Sequence, residues 1–217
     1  MKKTYLFFDL DGTLTESAPG IIRSARYALS HFGIEPSEEI MKKFIGPPLM
    51  ESFQNLCGLT EEESLEAIRL YREYFAEKGM FENSVYKGVY EMLETLQKEG
   101  KILAVATSKP EIYAKKILDH FHLTEYFSYI AGAALDHVKM TKADVLRNAV
   151  CHTGLTDISQ GLMIGDRLHD VEGAKELGME TLGVLYGYGS HEELMNAGAV
   201  DVAQTPKDVI SWILSCI

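Results

Sequence analysis

The chain has 217 residues, of which 46% are hydrophobic and only 6 are proline, so it holds enough apolar material for one large domain or for a core with an insertion. Its 21 basic and 32 acidic residues give a formal net charge of −11, and lysine and arginine form no cluster, which excludes a nucleic-acid polymer as the expected partner. The three cysteines are widely spaced, which predicts reduced thiols and a cytoplasmic protein. No apolar run approaches the ~18 residues of a membrane span, so we expect no membrane partner.

The first predicted element is a buried strand over residues 4–8, and two carboxylates follow it at once. Asp9 continues the strand, whereas Asp11-Gly12 is a turn signal, so the two acids can diverge around one pocket. A buried pair of carboxylates must be neutralised by protons, cations or a metal. A solvated turn that merely ends the strand explains the pentapeptide Asp9–Thr13 equally well when it is taken alone.

The next part of the chain has the periodicity of helices and contains no convincing strand. The pattern predicts four helices, over residues 21–32, 38–44, 49–56 and 60–78. Gly46-Pro47-Pro48 forces a turn before the third helix, and Thr60-Glu61-Glu62-Glu63 resembles a capping box at the start of the fourth. We therefore predict a small α-helical cap domain over residues 17–83, inserted after the first strand.

From Gly88 onward, predicted helices alternate with predicted strands. The helices are predicted over residues 89–99, 111–120, 141–152 and 170–177, and from residue 206. The strands are predicted over residues 102–106, 129–131, 161–165 and 181–185. Such alternation is typical of a parallel sheet with helices on both faces. We therefore predict an α/β fold with a Rossmann-like, doubly wound parallel sheet as the catalytic core, made of residues 1–16 and 84–217.

Polar side chains follow several of the predicted strands. In an open α/β sheet, ligands bind at the carboxyl ends of the strands, beside the point where the strand order reverses. The residues expected at this edge are Asp9, Asp11, Thr107, Ser108, Lys142, Asp166 and Asp170. Taken singly, Thr107 is more often a helix cap and Lys142 a solvated surface residue. Their order along the chain, each near a strand end, indicates one common site.

These residue types suit phosphoryl transfer. Asp9 and Asp166 come from different strands, and paired carboxylates are suitable ligands for Mg²⁺. Asp9 can also attack phosphorus, because aspartyl-phosphate formation is a known form of covalent catalysis. Asp11 can protonate the leaving oxygen and later deprotonate the hydrolytic water. Thr107 offers a hydroxyl and Ser108 a backbone N–H near a helix start for binding phosphate, and Lys142 offers a positive charge.

These motifs resemble those of the haloacid dehalogenase (HAD) superfamily, in its phosphatase branch with a helical cap, over essentially the full length. The matching segments are Asp9–Thr13, Ala106–Pro110, Lys142 and Gly165–Asp170. The resemblance implies that Asp9 is the nucleophile and a Mg²⁺ ligand. It implies that Asp11 is the general acid and base and lends its backbone carbonyl to the metal. It further implies that Asp166 is a metal ligand. Asp170 would orient metal-bound water without contacting the metal itself.

Two further segments favour phosphoglycolate phosphatase-like proteins, a subgroup that includes some 5′-nucleotidases. They are Gly46–Leu49 in the cap and Lys142–Val145, where other members commonly carry Lys-Pro-x-Pro. Asp11 argues against a dehalogenase and a phosphonatase, because neither has a second aspartate in this motif. A phosphosugar mutase uses the same acids and stays an alternative, as does a non-catalytic phosphate-binding regulatory module.

The resemblance therefore implies a Mg²⁺-dependent phosphatase, a phosphoric monoester hydrolase. Its expected partner is a small phosphorylated metabolite, either a phosphoglycolate-like ester or a nucleoside 5′-monophosphate, and its expected intermediate is an aspartyl-phosphate. The expected oligomeric state is a monomer or a homodimer.

Overall fold

A computed structural model describes residues 2–135 and 140–216 of the chain. The chain forms two compact units, one made of the residues up to Thr15 and from Val85 onward, the other of Glu16–Ser84. Among the described residues, no helix combines the length and the apolar composition that crossing a membrane requires.

The first unit is built on a six-stranded parallel sheet. The strands of the described chain are β1 (Tyr5–Phe8), β2 (Thr15–Glu16), β3 (Ser84–Val85), β4 (Ile102–Pro110), β5 (Tyr129–Ala133), β6 (Gly161–Gly165), β7 (Glu180–Val184) and β8 (Asp201–Ala203). The large sheet has the order β5-β4-β1-β6-β7-β8, while β2 pairs with β3. The strand order therefore reverses beside β1, which lies between β4 and β6. This is the doubly wound arrangement expected from the sequence.

Helices cover this sheet. They are α5 (Val89–Lys98), α6 (Glu111–His120), α7 (Lys142–Thr153), α8 (Leu168–Glu176), α9 (His191–Ala197) and α10 (Pro206–Ser215), numbered after four helices of the other unit. Phe7 of β1 packs in one apolar cluster with Val145 and Leu146 of α7. Its neighbours Leu6 and Phe8 are also fully buried. Because successive strand residues point to opposite faces, both faces of β1 are shielded from water.

The second unit is helical. It contains α1 (Ala18–Ser30), α2 (Glu38–Lys42), α3 (Leu49–Cys57) and α4 (Glu61–Glu77), followed by a 3₁₀ turn at Gly79–Phe81. The capping box at the start of α4 is present, with Thr60 and Glu63 as its partners. Gly20 of α1 lies so close to Gly79 that a Cβ on Gly20 would stand 1.9 Å from the Gly79 carbonyl oxygen. A side chain at this position is therefore incompatible with the observed packing.

The structure differs from the sequence-based prediction in two respects. The strand predicted to end at residue 106 continues to Pro110, and its register against β5 shifts between Thr107 and Pro110. Helix α9 and strands β2, β3 and β8 were not predicted. All four are short, so the periodicity of their sequences is not a strong signal.

Candidate active site

The carboxyl ends of β1 and β6 bring the first two acidic residues together. Asp9 directly follows β1, and its backbone N–H donates to the carbonyl of Ile164 in β6 at 2.9 Å. Asp166 directly follows β6, so the two aspartates stand side by side at the edge of the sheet. Side-chain oxygens of Asp9, Asp166 and Asp170 all lie within 4.8 Å of one another. This cluster lies where the strand order reverses, as the sheet topology leads one to expect of a ligand site.

Lys142 joins this cluster from the first position of α7. The side chain of Thr141 and that of Asp144 form a capping box, which fixes the start of the helix. The Lys142 ammonium lies 2.9 Å from Oδ1 of Asp9 and 2.6 Å from Oδ1 of Asp170, and its side chain is buried. Burial alone would lower the pKa of Lys142, but the charges of Asp170 and Asp9 hold the pKa above its ordinary value. Lys142 is therefore a buried cation.

Asp170 lies in the first turn of α8, and two donors hold its carboxylate. Its Oδ1 pairs with Lys142, and its Oδ2 accepts the backbone N–H of Arg167 at 3.1 Å. A Cβ on Gly165 would stand 2.3 Å from the carboxyl carbon of Asp170, so a residue without a side chain is required at the end of β6. The Asp170 carboxylate is thus fixed from a helix start, a strand end and a neighbouring helix.

Asp166 is fully buried between backbone segments. Its Oδ2 accepts the backbone N–H of Tyr188 at 2.8 Å, and its Oδ1 lies 3.5 Å from the hydroxyl of Thr13. Burial, followed by the charges of Asp170 and Asp9, raises the pKa of Asp166 well above its ordinary value. The Asp166 carboxylate therefore lies where a cation would be strongly stabilised.

Asp9 is in a similar environment, with one difference. Burial and the charge of Asp170 raise its pKa, while the charge of Lys142 and a hydrogen bond from Thr107 act in the opposite direction. The net shift is upward. The Asp9 carboxyl is thus surrounded by a lysine, a hydroxyl and two further acids.

The donor set suits a hard divalent cation. Carboxylate oxygens of Asp9, Asp166 and Asp170 lie within 4.8 Å of one another. Mg²⁺ is typically held by one or two carboxylates together with other oxygen ligands, whereas zinc and copper sites contain histidine or cysteine. The residues present therefore fit Mg²⁺.

Thr107 reaches the site from β4, but not as a helix cap. The residue that precedes α6 is Pro110, so the helix-cap interpretation of Thr107 is wrong. The Thr107 hydroxyl hydrogen-bonds to Asp9 and accepts the backbone N–H of Lys109 at 3.3 Å. Ser108 lies within the same extended segment, and its side chain is exposed. The helix begins only at Glu111, so Ser108 lies outside its first turn.

Asp11 forms an ion pair with Lys109, a residue that the sequence motifs did not single out. Its Oδ2 lies 2.6 Å from the ammonium of Lys109, whose side chain is only 7% exposed. Lys109 lies within the register shift of β4 between Thr107 and Pro110, so strand periodicity gave no signal for its position. The backbone carbonyl of Asp11 as a metal ligand stays a prediction.

Glu193 is a second residue that no sequence pattern indicated. Its Oε1 accepts the Nε–H of Arg167 at 2.7 Å and the backbone N–H of Leu168 at 2.9 Å. Glu193 thereby connects α9 to the start of α8, in the segment between Asp166 and Asp170. No motif indicated this contact, because α9 itself was not predicted.

Comparisons with known proteins agree with this geometry. The family model described as haloacid dehalogenase-like hydrolase matches residues 6–184. A 5′-nucleotidase from Pseudomonas aeruginosa is 43% identical over 190 residues, which cover 87% of this chain and 86% of the relative. The tyrosine-protein kinase PtkA from Mycobacterium tuberculosis is 42% identical over 186 residues, which cover 85% of this chain and 62% of the relative. The crystal structure of a predicted phosphatase from Clostridium acetobutylicum superposes with a TM-score of 0.92 at 44% identity, covering 99% of this chain and 100% of that one.

Proposed function

Because the chain belongs to the haloacid dehalogenase-like hydrolases and is a phosphatase of that family, we propose that it hydrolyses a small phosphate monoester with Mg²⁺, through an aspartyl-phosphate on Asp9. The observation that carries the proposal is the environment of Asp9. Its carboxylate stands at the end of a central strand, against the Lys142 ammonium and within 4.8 Å of Asp166 and Asp170. Such a group combines a nucleophile, a cation for phosphate and a set of metal ligands.

In the first step, a carboxylate oxygen of Asp9 forms a bond to phosphorus while the bond from phosphorus to the ester oxygen breaks. Protonated Asp11 gives its proton to that ester oxygen, so the alcohol leaves neutral and the phosphoryl group remains on Asp9. Lys142 and the Thr107 hydroxyl, which both contact Asp9, are suitably located to stabilise the phosphoryl oxygens during the transfer.

In the second step, a water molecule gives a proton to the Asp11 carboxylate and attacks phosphorus. The bond from phosphorus to Asp9 breaks, which releases inorganic phosphate. Asp9 is thereby returned to its carboxylate form and Asp11 to its protonated form, so the enzyme is ready for another turnover.

Mg²⁺ would be held by the carboxylates of Asp9 and Asp166 and the backbone carbonyl of Asp11. When bound, the ion supplies positive charge that reduces the repulsion between Asp9 and an anionic substrate. Asp170, which is already fixed by Lys142 and the Arg167 N–H, would orient water near the ion.

The proposed substrates are nucleoside 5′-monophosphates and phosphoglycolate-like esters. The 5′-nucleotidase relative supports the first class. We assign to the helical segment 17–83 the role of a cap that excludes water during the attack by Asp9. A phosphosugar mutase and a phosphate-binding regulatory module are the alternatives to be tested against this proposal.

A panel of phosphate esters tests the proposal. The purified protein is incubated with Mg²⁺ and, in turn, p-nitrophenyl phosphate, nucleoside 5′-monophosphates, phosphoglycolate, sugar phosphates and pyrophosphate. We expect release of inorganic phosphate, with the highest kcat/KM for a nucleoside 5′-monophosphate or phosphoglycolate. We expect Asp9→Asn to lower kcat by about a thousandfold or more, because the nucleophile is lost.

The matched control is Asp119→Asn, since Asp119 is an exposed aspartate of α6. This variant should keep wild-type activity, and circular dichroism should show both variants to be folded. Full activity in folded Asp9→Asn would contradict the mechanism. Interconversion of sugar phosphates without phosphate release would establish the mutase instead, and no turnover of any ester would favour the binding module.

A further inference from the structure

We infer that Lys109 is a positioning residue for Asp11: its ammonium holds one carboxyl oxygen of Asp11 and leaves the other to exchange a proton with the reacting oxygen. The inference rests on the function proposed above, in which Asp11 is the general acid and base. It concerns a lysine to which neither the motifs nor the geometry of the metal cluster assigns a task.

The first observation is the ion pair itself. The Lys109 ammonium lies 2.6 Å from Oδ2 of Asp11, and the side chains are 7% and 23% exposed respectively. Ion pairs on the surface contribute little to stability. This pair is largely withdrawn from water, and the attraction between charges is stronger in such an environment. A lysine loses much rotamer freedom when it is buried, so a buried lysine needs a strong partner.

The second observation concerns the other oxygen of Asp11. Among residues 2–135 and 140–216, Oδ1 of Asp11 is buried and has no hydrogen-bond partner. A buried carboxylate oxygen without a partner is unfavourable unless a ligand or water completes its bonding. The two oxygens of Asp11 are thus in different environments, one bound by a cation and one open for a partner from outside the chain.

The third observation concerns the end of the strand that carries Lys109. The register shift in β4 lies between Thr107 and Pro110, and the Lys109 N–H donates to the Thr107 hydroxyl oxygen at 3.3 Å. One irregular strand end therefore serves both catalytic aspartates. Thr107 hydrogen-bonds to Asp9, and Lys109 pairs with Asp11.

In the inferred arrangement, Oδ1 of Asp11 is the oxygen that exchanges the proton. In the acid form of Asp11, Oδ2 is the carbonyl oxygen that accepts from the Lys109 ammonium, and Oδ1 is the hydroxyl that gives its proton to the leaving oxygen. In the second step, Oδ1 takes a proton from water while Oδ2 stays paired. Without Lys109, the carboxyl group can rotate, and a small displacement of a proton donor causes a large loss of rate.

The leaving group of the substrate distinguishes this role from a general contribution to binding. A p-nitrophenolate leaves without a proton, whereas an alkoxide from an alkyl ester needs one. We expect Lys109→Met to lower kcat/KM for the best alkyl ester of the panel by about 10–100-fold. The kcat/KM for p-nitrophenyl phosphate should change by less than about threefold. Because kcat/KM reports the first irreversible step, it isolates departure of the leaving group from the later hydrolysis.

Repeating the substitution in the Asp11→Asn variant makes the test specific. If Lys109 acts through Asp11, adding Lys109→Met to Asp11→Asn should produce no further loss for the alkyl ester. A further loss in that background would overturn the inference, since it would show that Lys109 binds the substrate directly. The matched control is Lys115→Met, which removes an exposed lysine of α6 paired with Glu111 at 2.6 Å. It should leave both substrates unaffected.

Lys109→Gln guards against a folding defect in Lys109→Met. Equal losses on both substrates in the two variants, with circular dichroism unchanged, would overturn the inference, and so would an unchanged alkyl ester rate in a folded variant. Failure of the proposed function is recognised separately. In that case the wild-type protein itself releases no phosphate from any ester.

Discussion

Lys142 carries its charge where water does not reach it, between the carboxylates of Asp9 and Asp170. The three groups depend on one another, because each carboxylate would otherwise face like charge within the same cluster. Burial alone would lower the pKa of Lys142, and the charges of Asp170 and Asp9 hold it above its ordinary value. Removing the lysine would leave two buried acids without their cation. This costs more stability than replacing the whole ion pair by apolar residues would.

We therefore expect Lys142→Met to lower the free energy of unfolding by about 3–5 kcal/mol in the absence of Mg²⁺. Urea denaturation measures this change, with Lys115→Met as the control, because an exposed pair contributes less than about 1 kcal/mol. If Mg²⁺ binds these carboxylates as proposed, adding it should raise the stability of Lys142→Met more than that of the wild type, because the cluster of the variant lacks one positive charge. Equal stability of Lys142→Met and wild type in the absence of Mg²⁺ would contradict this account.

Most of the residues that lie together in the candidate site could be predicted from the sequence. Asp9, Asp166 and Asp170 lie close together because strand ends of a parallel sheet share an edge, and that rule needs only the order of the strands. Lys109 and Glu193 were not accessible in this way. Their contacts depend on a register shift in β4 and on a short helix, neither of which leaves a periodic signal in the sequence.

At the scale of elements, the helices other than α9 were predicted to within a few residues, and α6 was predicted at its observed bounds although no side chain caps it. Thr60 and Thr141 both form capping boxes, and α4 and α7 begin directly after them. The ends of strands were harder to predict than the ends of helices. A strand that ends in Thr-Ser-Lys-Pro resembles a loop by composition, and only its pairing with β5 reveals that it continues.

The contact between α1 and the turn at Gly79 leads to a prediction for the helical unit. Helix propensity alone would make Gly20→Ala stabilising by about 1 kcal/mol. The new Cβ would instead stand 1.9 Å from the Gly79 carbonyl oxygen, so the two segments must separate. We expect a loss of about 1–3 kcal/mol in the free energy of unfolding of this unit.

Hydrogen exchange followed by peptide mass spectrometry measures this loss locally. Protection should fall within residues 16–84 and stay unchanged in the sheet. Ser30→Ala, at the exposed end of the same helix, serves as the control. Increased protection in Gly20→Ala would show that the close approach of the two glycines is not a constraint.

At the scale of the whole molecule, the net charge of −11 opposes the approach of an anionic ester. Salt screens this repulsion over distances of about 8–10 Å near physiological ionic strength. We therefore expect kcat/KM for a dianionic ester to rise by about threefold between low salt and 0.2 M NaCl, with kcat nearly unchanged.

Initial rates at a constant free Mg²⁺ concentration test this dependence. A substrate of higher charge, such as pyrophosphate, should show a steeper increase than p-nitrophenyl phosphate if the chain hydrolyses both. A fall of kcat/KM with salt would mean that the two lysines of the site, and not the overall charge, dominate the field that the substrate meets.

The pairing of β2 with β3 has an evolutionary consequence. The chain leaves the sheet unit at Thr15–Glu16 and returns at Ser84–Val85, and these two short strands are hydrogen-bonded neighbours. An insertion whose two ends are adjacent places almost no demand on the length or architecture of what lies between them. Such a junction allows one module to be exchanged for another by recombination while the strands that carry the aspartates keep their register.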